Sequence, residues 1–188
     1  MAQCTPKPDR SRARGGTKSL EAYELLLKGR ALQSKRGRFL PQAVACFERA
    51  IALDPDYAEA MAWLADSYRL IGTFGWGPPQ EAMSKAKALA ERALAVDPGL
   101  AEAWSTLAAV EEQYERNFAR SDALYQRALE IDPRHSRARA QRALWRVIRD
   151  AIPMPEALAE VRRAVQDDPL NASGGWHALL PAGDRRHA

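Results

Sequence analysis

The stretch Arg92-Ala-Leu-Ala-Val-Asp-Pro-Gly-Leu-Ala-Glu-Ala-Trp104 is one copy of a pattern that the chain writes four times. Arg49-Ala-Ile-Ala-Leu-Asp-Pro-Asp-Tyr-Ala-Glu-Ala-Met61 precedes it. Arg127-Ala-Leu-Glu-Ile-Asp-Pro-Arg-His-Ser-Arg-Ala-Arg139 and Arg163-Ala-Val-Gln-Asp-Asp-Pro-Leu-Asn-Ala-Ser-Gly-Gly175 follow. The prolines at 55, 98, 133 and 169 set periods of 43, 35 and 36 residues. Periods of this size mark an array of small supersecondary units stacked on one another. In each copy an apolar-periodic helix runs into Asp-Pro and stops, because proline lacks the amide hydrogen and clashes with the preceding turn. The same proline is expected to open the next helix from its first turn. The repeating unit is therefore a helical hairpin.

Residue sizes follow the same register. Met61, Leu64, Ala65 and Tyr68 lie six, nine, ten and thirteen residues after Pro55, and Ala50, Phe47 and Ala43 lie five, eight and twelve before it. Small residues are needed where paired helices approach closely, and large ones fill the space beside them. Trp104, Leu107 and Ala108 repeat the order after Pro98, with Ala93, Ala90 and Ala86 before it. Ser121, Tyr125 and Ala128 precede Pro133, and Ala157, Val161 and Ala164 precede Pro169. This succession resembles the tetratricopeptide repeat over roughly residues 20 to 175. It implies an all-α fold, a tetratricopeptide-like superhelical stack of about four helical hairpins, or α-solenoid.

A narrower resemblance lies between the motifs. Ser19-Leu-Glu-Ala-Tyr-Glu-Leu-Leu-Leu-Lys-Gly-Arg30, Leu64-Ala-Asp-Ser-Tyr68, Gly75-Trp-Gly-Pro-Pro-Gln-Glu-Ala82 and Leu100-Ala-Glu-Ala-Trp104 look like the repeat segments of bacterial multidomain signalling proteins. There the repeats accompany a winged-helix regulator, a nucleotide cyclase or a Ser/Thr kinase domain. That resemblance implies a bacterial signalling context and a cytoplasmic setting. It transfers no catalytic residue, since no position matches one.

Composition agrees with a soluble folded chain: 46% hydrophobic and 28% charged residues in 188. The net charge of +4 resides in residues 1 to 18, where Lys7, Arg10, Arg12, Arg14 and Lys18 face only Asp9, and the rest of the chain is neutral. That stretch has no hydrophobic period and is expected to be a disordered basic tail, followed by a repeat domain over 19–180 and a second disordered tail over 181–188. Neither a signal peptide nor a membrane-spanning run is written here. His135, His177 and His187 have no partners at metal-ligand spacing, so no metal or other cofactor is expected. Arg14-Gly-Gly-Thr-Lys-Ser19 has the letters of a phosphate loop without the strand such a loop needs. No nucleophile–base set can be assembled, and the chain reads as a non-enzyme.

Within the domain, Ser19 is expected to cap a helix to about Lys35 with an apolar face of Leu20, Tyr23, Leu26 or Leu27 and Ala31, and with Gly29 at a close approach. Gly72-Thr-Phe-Gly-Trp-Gly-Pro-Pro79 lengthens the second unit; its glycines and prolines predict a loop, with Phe74 and Trp76 folded back. In the fourth unit, Arg139, Arg142 and Arg146 occupy the places of large apolar residues, so that Leu144, Trp145, Val147 and Ile148 must supply the buried surface instead.

For function, tetratricopeptide modules bind peptides in the groove lined by the first helix of each hairpin. The inner-face count selects Glu59, Ala62, Asp66, Glu102, Ser105, Ala109 and Glu112, together with Ala140, Leu144 and Gln113. The Lys/Asn/Arg clamp of one known type is missing from these positions. The count predicts a mildly acidic groove suited to a basic and apolar partner segment. Arg139, Arg142, Arg146 and Arg149 form a second candidate, a basic docking strip for an acidic partner. A protein or peptide scaffold is the primary reading; a DNA-associated regulator using the arm at 7–18 is the alternative, with nucleic acid the less favoured ligand. At the other end, Trp176, Leu179 and Leu180 begin a fifth unit that Pro181 stops, which leads us to expect a piece of a longer repeat protein and self-association through that edge.

Overall fold

The computed structural model describes residues 16–168. Most of the basic arm, the edge carrying Trp176, Leu179 and Leu180, and the tail 181–188 lie outside them. The described residues form eight α-helices and no strand: α1 Leu20–Lys35, α2 Leu40–Leu53, α3 Ala58–Phe74, α4 Pro79–Val96, α5 Ala101–Gln113, α6 Phe118–Ile131, α7 Ser136–Ile148 and α8 Met154–Asp167. Consecutive helices pair as hairpins, each second helix packs on the next hairpin, and α1, α3, α5 and α7 line one side in succession. Among the described residues no helix is long and apolar enough to cross a membrane.

The three Asp-Pro stops that lie wholly within the described residues are built the same way, and differently from expectation. The proline does not open the following helix: α3, α5 and α7 begin three residues after it, at Ala58, Ala101 and Ser136. The aspartate instead closes a turn. Its carbonyl accepts from the amide three residues on, as in Tyr57 N to Asp54 O at 3.0 Å and His135 N to Asp132 O at 3.1 Å. Its carboxylate accepts from the amide two residues on, at 3.3 Å from Asp56, 2.8 Å from Gly99 and 3.0 Å from Arg134. Proline at the second position of such a turn presets its backbone angle. First-turn prolines belong to the partner helices α2, α4 and α8.

The core is a series of small clusters between neighbours. Leu26, Phe47, Tyr57 and Ala60 join α1 and α2 to α3; Met61, Ala93 and Ala103 join α3 and α4 to α5; Ala108, Tyr125 and Ala138 join α5 and α6 to α7. Ala65, Ala86, Ala90, Ala93 and Ala128 are fully buried, as the size register requires. Ser19 caps α1 by accepting from Ala22 N at 3.2 Å. The buried face of α1 is nonetheless Ala22, Leu26, Gly29 and Gln33, while Leu20, Tyr23 and Leu27 are exposed. The difference follows from Gly29, which seats against the Phe47 ring so closely that an added Cβ would lie 2.4 Å from Cε1. That contact fixes the rotation of the helix.

Two further expectations are corrected. α3 continues through Gly72 and Thr73 to Phe74 and ends only at Gly75, whose φ of 69° is the left-handed cap that glycine permits. Phe74 and Trp76 stack on each other at 5.2 Å and stay half exposed. Trp76 does reach back to the α1–α2 turn, sharing a cavity with Arg38, Leu40 and Pro41. In the fourth hairpin α7 buries Ser136, Ala138, Ala140 and Ala143, with Val147 beside Ile152 and Ala157, whereas Ile148 is exposed. On the far side, α8 buries Ala157, Val161 and Ala164 as expected.

Gly29→Ala is expected to lower unfolding free energy by about 1–3 kcal/mol, because the fully buried Phe47 has nowhere to move. Ala93→Glu should cost about 3 kcal/mol or more by burying an unpaired charge. Urea unfolding followed by circular dichroism measures both; midpoints equal to the parent would refute this helix register.

Candidate functional site

The first helices α1, α3, α5 and α7 bring together a polar cluster that spans all four hairpins. From α1, Gln33 Nε2 donates to Asp66 Oδ2 at 2.7 Å. On α3, Arg69 Nε donates to Asp66 Oδ1 at 2.8 Å, one helical turn along. Arg137 then reaches from α7 to place one guanidinium nitrogen 2.5 Å from Asp66 Oδ1 and another 2.5 Å from Glu102 Oε1. It passes over α5, where it donates to Ser105 Oγ at 3.3 Å and Thr106 Oγ1 at 3.0 Å. Small hydroxyl residues on that face leave the path open, which a large side chain would block. Glu102 completes the set with His135 Nε2 at 3.2 Å, while His135 Nδ1 accepts from Ala138 N and caps α7. The accepting Nδ1 assigns the ring proton to Nε2, so that imidazole donates to Glu102.

Electrostatics in this cluster are self-contained. Burial opposes ionisation of Glu102, but Arg137 and His135 outweigh it and hold the carboxyl well below the usual range. Burial likewise opposes the charge on Arg137, and Asp66 with Glu102 more than restores it. Above the cluster opens a cavity of about 290 Å³ whose wall includes Ser34, Arg36, Trp63 and Arg69. Arg30 lies over the Trp63 ring at 4.6 Å and 3.5 Å from Glu59. Arg36 has no carboxylate at ion-pair distance among the described residues; burial, opposed by Asp66, lowers its pKa. Its backbone φ of 54° turns the chain out of α1 and holds the guanidinium over Phe74 at 5.8 Å.

This overturns the expected acidic groove. Asp66 and Glu102 are present, but arginines of the same surface neutralise them. Ala62, Ser105 and Ala109 are covered by neighbouring helices. Glu112, 1% exposed, sits apart, at the floor of a second cavity between α5, α6 and α7. Burial pushes its carboxyl up to about 7, against the hydrogen bond that Gln141 Nε2 donates to its Oε1 at 2.9 Å. Leu144 and Gln113 are not part of the cluster, and Ala140 packs on α8 through Val161 and Ala164.

The arginine strip is also divided. Arg139 turns toward α8, pairing with Glu160 at 2.9 Å and donating to the Pro133 carbonyl. Arg142 makes two bonds to Asp122, at 2.8 and 3.1 Å. Arg146 and Arg149 have no carboxylate partner among the described residues, and Arg149 lies 5.0 Å over the Phe118 ring. The described residues contain no metal-ligand cluster.

The backbone can be compared with solved structures. TTC0263, a thermophilic TPR protein of Thermus thermophilus, superposes with a TM-score of 0.61 at 19% identity, over 87% of this chain and 84% of its own. This chain has the tetratricopeptide-repeat fold. MamA gives a TM-score of 0.53 at 19% identity, covering 80% of each chain. The MamA RS-1 ArsTM double mutant gives 0.52 at 17%, covering 83% of this chain and 80% of that one. Neither a protein-family model nor a curated protein matches the sequence. At such identities the likeness is one of fold.

Within this repeat stack the count from each proline located Asp66 and Glu102 but passed over Gln33, Arg36, Arg69 and Arg137. One signal was available for Arg137. Position four after the proline is Glu59 in the first copy and Glu102 in the second, and it reverses sign to Arg137 in the third.

Removing Arg137 as Arg137→Ala should destabilise the stack by about 3–5 kcal/mol, since Asp66 and Glu102 would remain buried without their counterion. Double-mutant cycles with Asp66→Asn should show strong coupling; additive effects would contradict the bridge. A second test uses pH. Glu112 is harder to ionise when folded, so its stabilising contribution is present at pH 4 and lost as pH rises through 7. Glu102 acts in the opposite sense, but only as pH falls below the ordinary glutamate range. Stability should therefore fall between pH 5 and 8, and Glu112→Gln should flatten that slope. An unchanged slope in the variant would assign the pH dependence elsewhere.

Proposed function

We propose that this repeat stack is a protein-binding module, without catalysis of its own, that holds an extended partner segment along α1, α3, α5 and α7. The observation that carries the reading is the cavity beside Arg36 and Trp63, on a surface whose inner charges are already paired. A preformed polar surface of this kind costs little ordering when a peptide binds. Glu59, Asp66 and Glu102 remain groove residues in this proposal, but Asp66 and Glu102 act by holding Arg69 and Arg137 in place. Among the described residues of this groove, Arg36 has no carboxylate at ion-pair distance, with Asp66 acting on it only from farther off. The partner segment accordingly carries an acidic side chain for Arg36 and an apolar one for Trp63, the reverse of the basic segment expected from the count. The resemblance between motifs supports a cytoplasmic setting and a place within a bacterial signalling protein.

Selection of random peptides displayed against the full chain should return acidic-apolar sequences. Their affinity should fall at least about tenfold with Arg36→Glu, the loss of one charge-assisted hydrogen bond and its replacement by repulsion. Trp63→Ala should weaken them as well, with helicity retained in both variants. Selected peptides that are basic, or that bind both variants equally, would refute the groove assignment. Reversing Asp66 and Glu102 is a poor test, because it dismantles the buried cluster along with any binding site.

A further inference from the structure

The second cavity, of about 350 Å³, lies between α6 and α7 and exists for a reason legible in the repeat. Large apolar side chains are due at positions six, nine and thirteen after Pro133, and this copy has Arg139, Arg142 and Arg146. An arginine can leave the interior and carry its charge to the rim, where an aliphatic residue would have filled the space. What remains is a pocket with three kinds of wall. Phe118 and Trp145, with ring centroids 5.7 Å apart at 35°, give a flat apolar side. Arg142 is engaged by Asp122; Arg146 and Arg149 stand at the rim with no carboxylate at ion-pair distance among the described residues, Asp122 acting on both only from farther off. The floor is polar: Glu112 and the Tyr125 hydroxyl are buried there and interact with each other, while Trp145 Nε1 in the wall has no hydrogen-bond partner.

We infer that this pocket is a binding site for a small aromatic carboxylate, held with its ring against Phe118 and Trp145 and its anionic group on Arg146 and Arg149. Size and chemistry select that class. The volume is at the small end of ligand pockets, about 300–1,000 Å³, which suits one ring better than a nucleotide. A mobile inorganic anion would use the arginines but leave the apolar wall wet. A neutral ring would use the wall and leave Arg146 and Arg149 with only the Asp122 charge that Arg142 already engages. The floor adds a preference for a polar substituent opposite the carboxylate, since Glu112 and Tyr125 line it and a ligand hydroxyl keeps hydrogen bonds there that an apolar group would not make. The site is separate from the groove on α1, α3, α5 and α7, and neither proposal depends on the other.

The test is a titration of the isotopically labelled full chain by amide NMR with three probes: 4-hydroxybenzoate, benzoate and 4-hydroxybenzamide. Saturable shifts are expected for 4-hydroxybenzoate at α6 and α7 residues, with benzoate weaker. The neutral amide should bind at least about tenfold less tightly, the loss of a charge-assisted hydrogen bond. Arg146→Gln with Arg149→Gln, both on the rim and checked for helicity by circular dichroism, should reduce 4-hydroxybenzoate binding by a similar factor. Absence of saturable shifts, equal binding of acid and amide, or unchanged binding by the double variant would each overturn the assignment. Shifts located on α1 and α3 instead would do so too.

Discussion

Close approach of helices through alanine is the constraint on which the rest of this molecule depends. Ala65, Ala86, Ala90, Ala93, Ala103 and Ala128 are buried at the lines where hairpins meet, and Gly29 performs the same service for Phe47. None of these contacts buries much apolar area by itself. Their effect is geometric: they set helix spacing tightly enough for each hairpin to close on its neighbours, since a single hairpin cannot cover its own apolar face. The Asp-Pro turns complement them by closing three junctions with one hydrogen-bond scheme, so that α3, α5 and α7 begin in register.

With spacing and register set, inner-face residues of different copies fall into rows, and the row at position four shows the consequence. Glu59, Glu102 and Arg137 are equivalent in sequence and unequal in chemistry. Because one is an arginine, the second, third and fourth hairpins are tied by a buried bridge from Asp66 through Arg137 to Glu102. Such a bridge offsets its own desolvation only with further hydrogen bonds around it, and Gln33, Arg69, Ser105, Thr106 and His135 contribute them. It also removes the negative charge that the groove would otherwise present.

The fourth hairpin departs from the other three through a single kind of substitution. Arginines in place of large apolar residues leave α7 to pack through alanines and open the space beside α6. A repeat protein tolerates such a change because only adjacent units feel it. The same change creates a chemical environment, with aromatic walls, a cationic rim and a carboxyl that burial pushes up to about 7, which the regular copies do not have.

Helix number, hairpin pairing and most buried small positions were legible from periodicity, because the register of sizes repeats wherever helices meet at a fixed distance. The cap at Ser19 and the close approach at Gly29 were legible for the same local reasons. Helix rotation was not: the face of α1 was misread because the Gly29–Phe47 contact outweighs the local apolar pattern. The end of α3 was misread because a glycine inside a helix costs only about 1 kcal/mol, which packing readily offsets. Charge pairing lay furthest out of reach. A count along the chain assigns each residue to a face, but whether Arg137 crosses α5 to Asp66, or Arg139 turns to α8, depends on distances between helices that are 71 and 21 residues apart in sequence at those pairs. Only the assembled stack sets those distances, and with them which charges are consumed internally and which stand open to a partner.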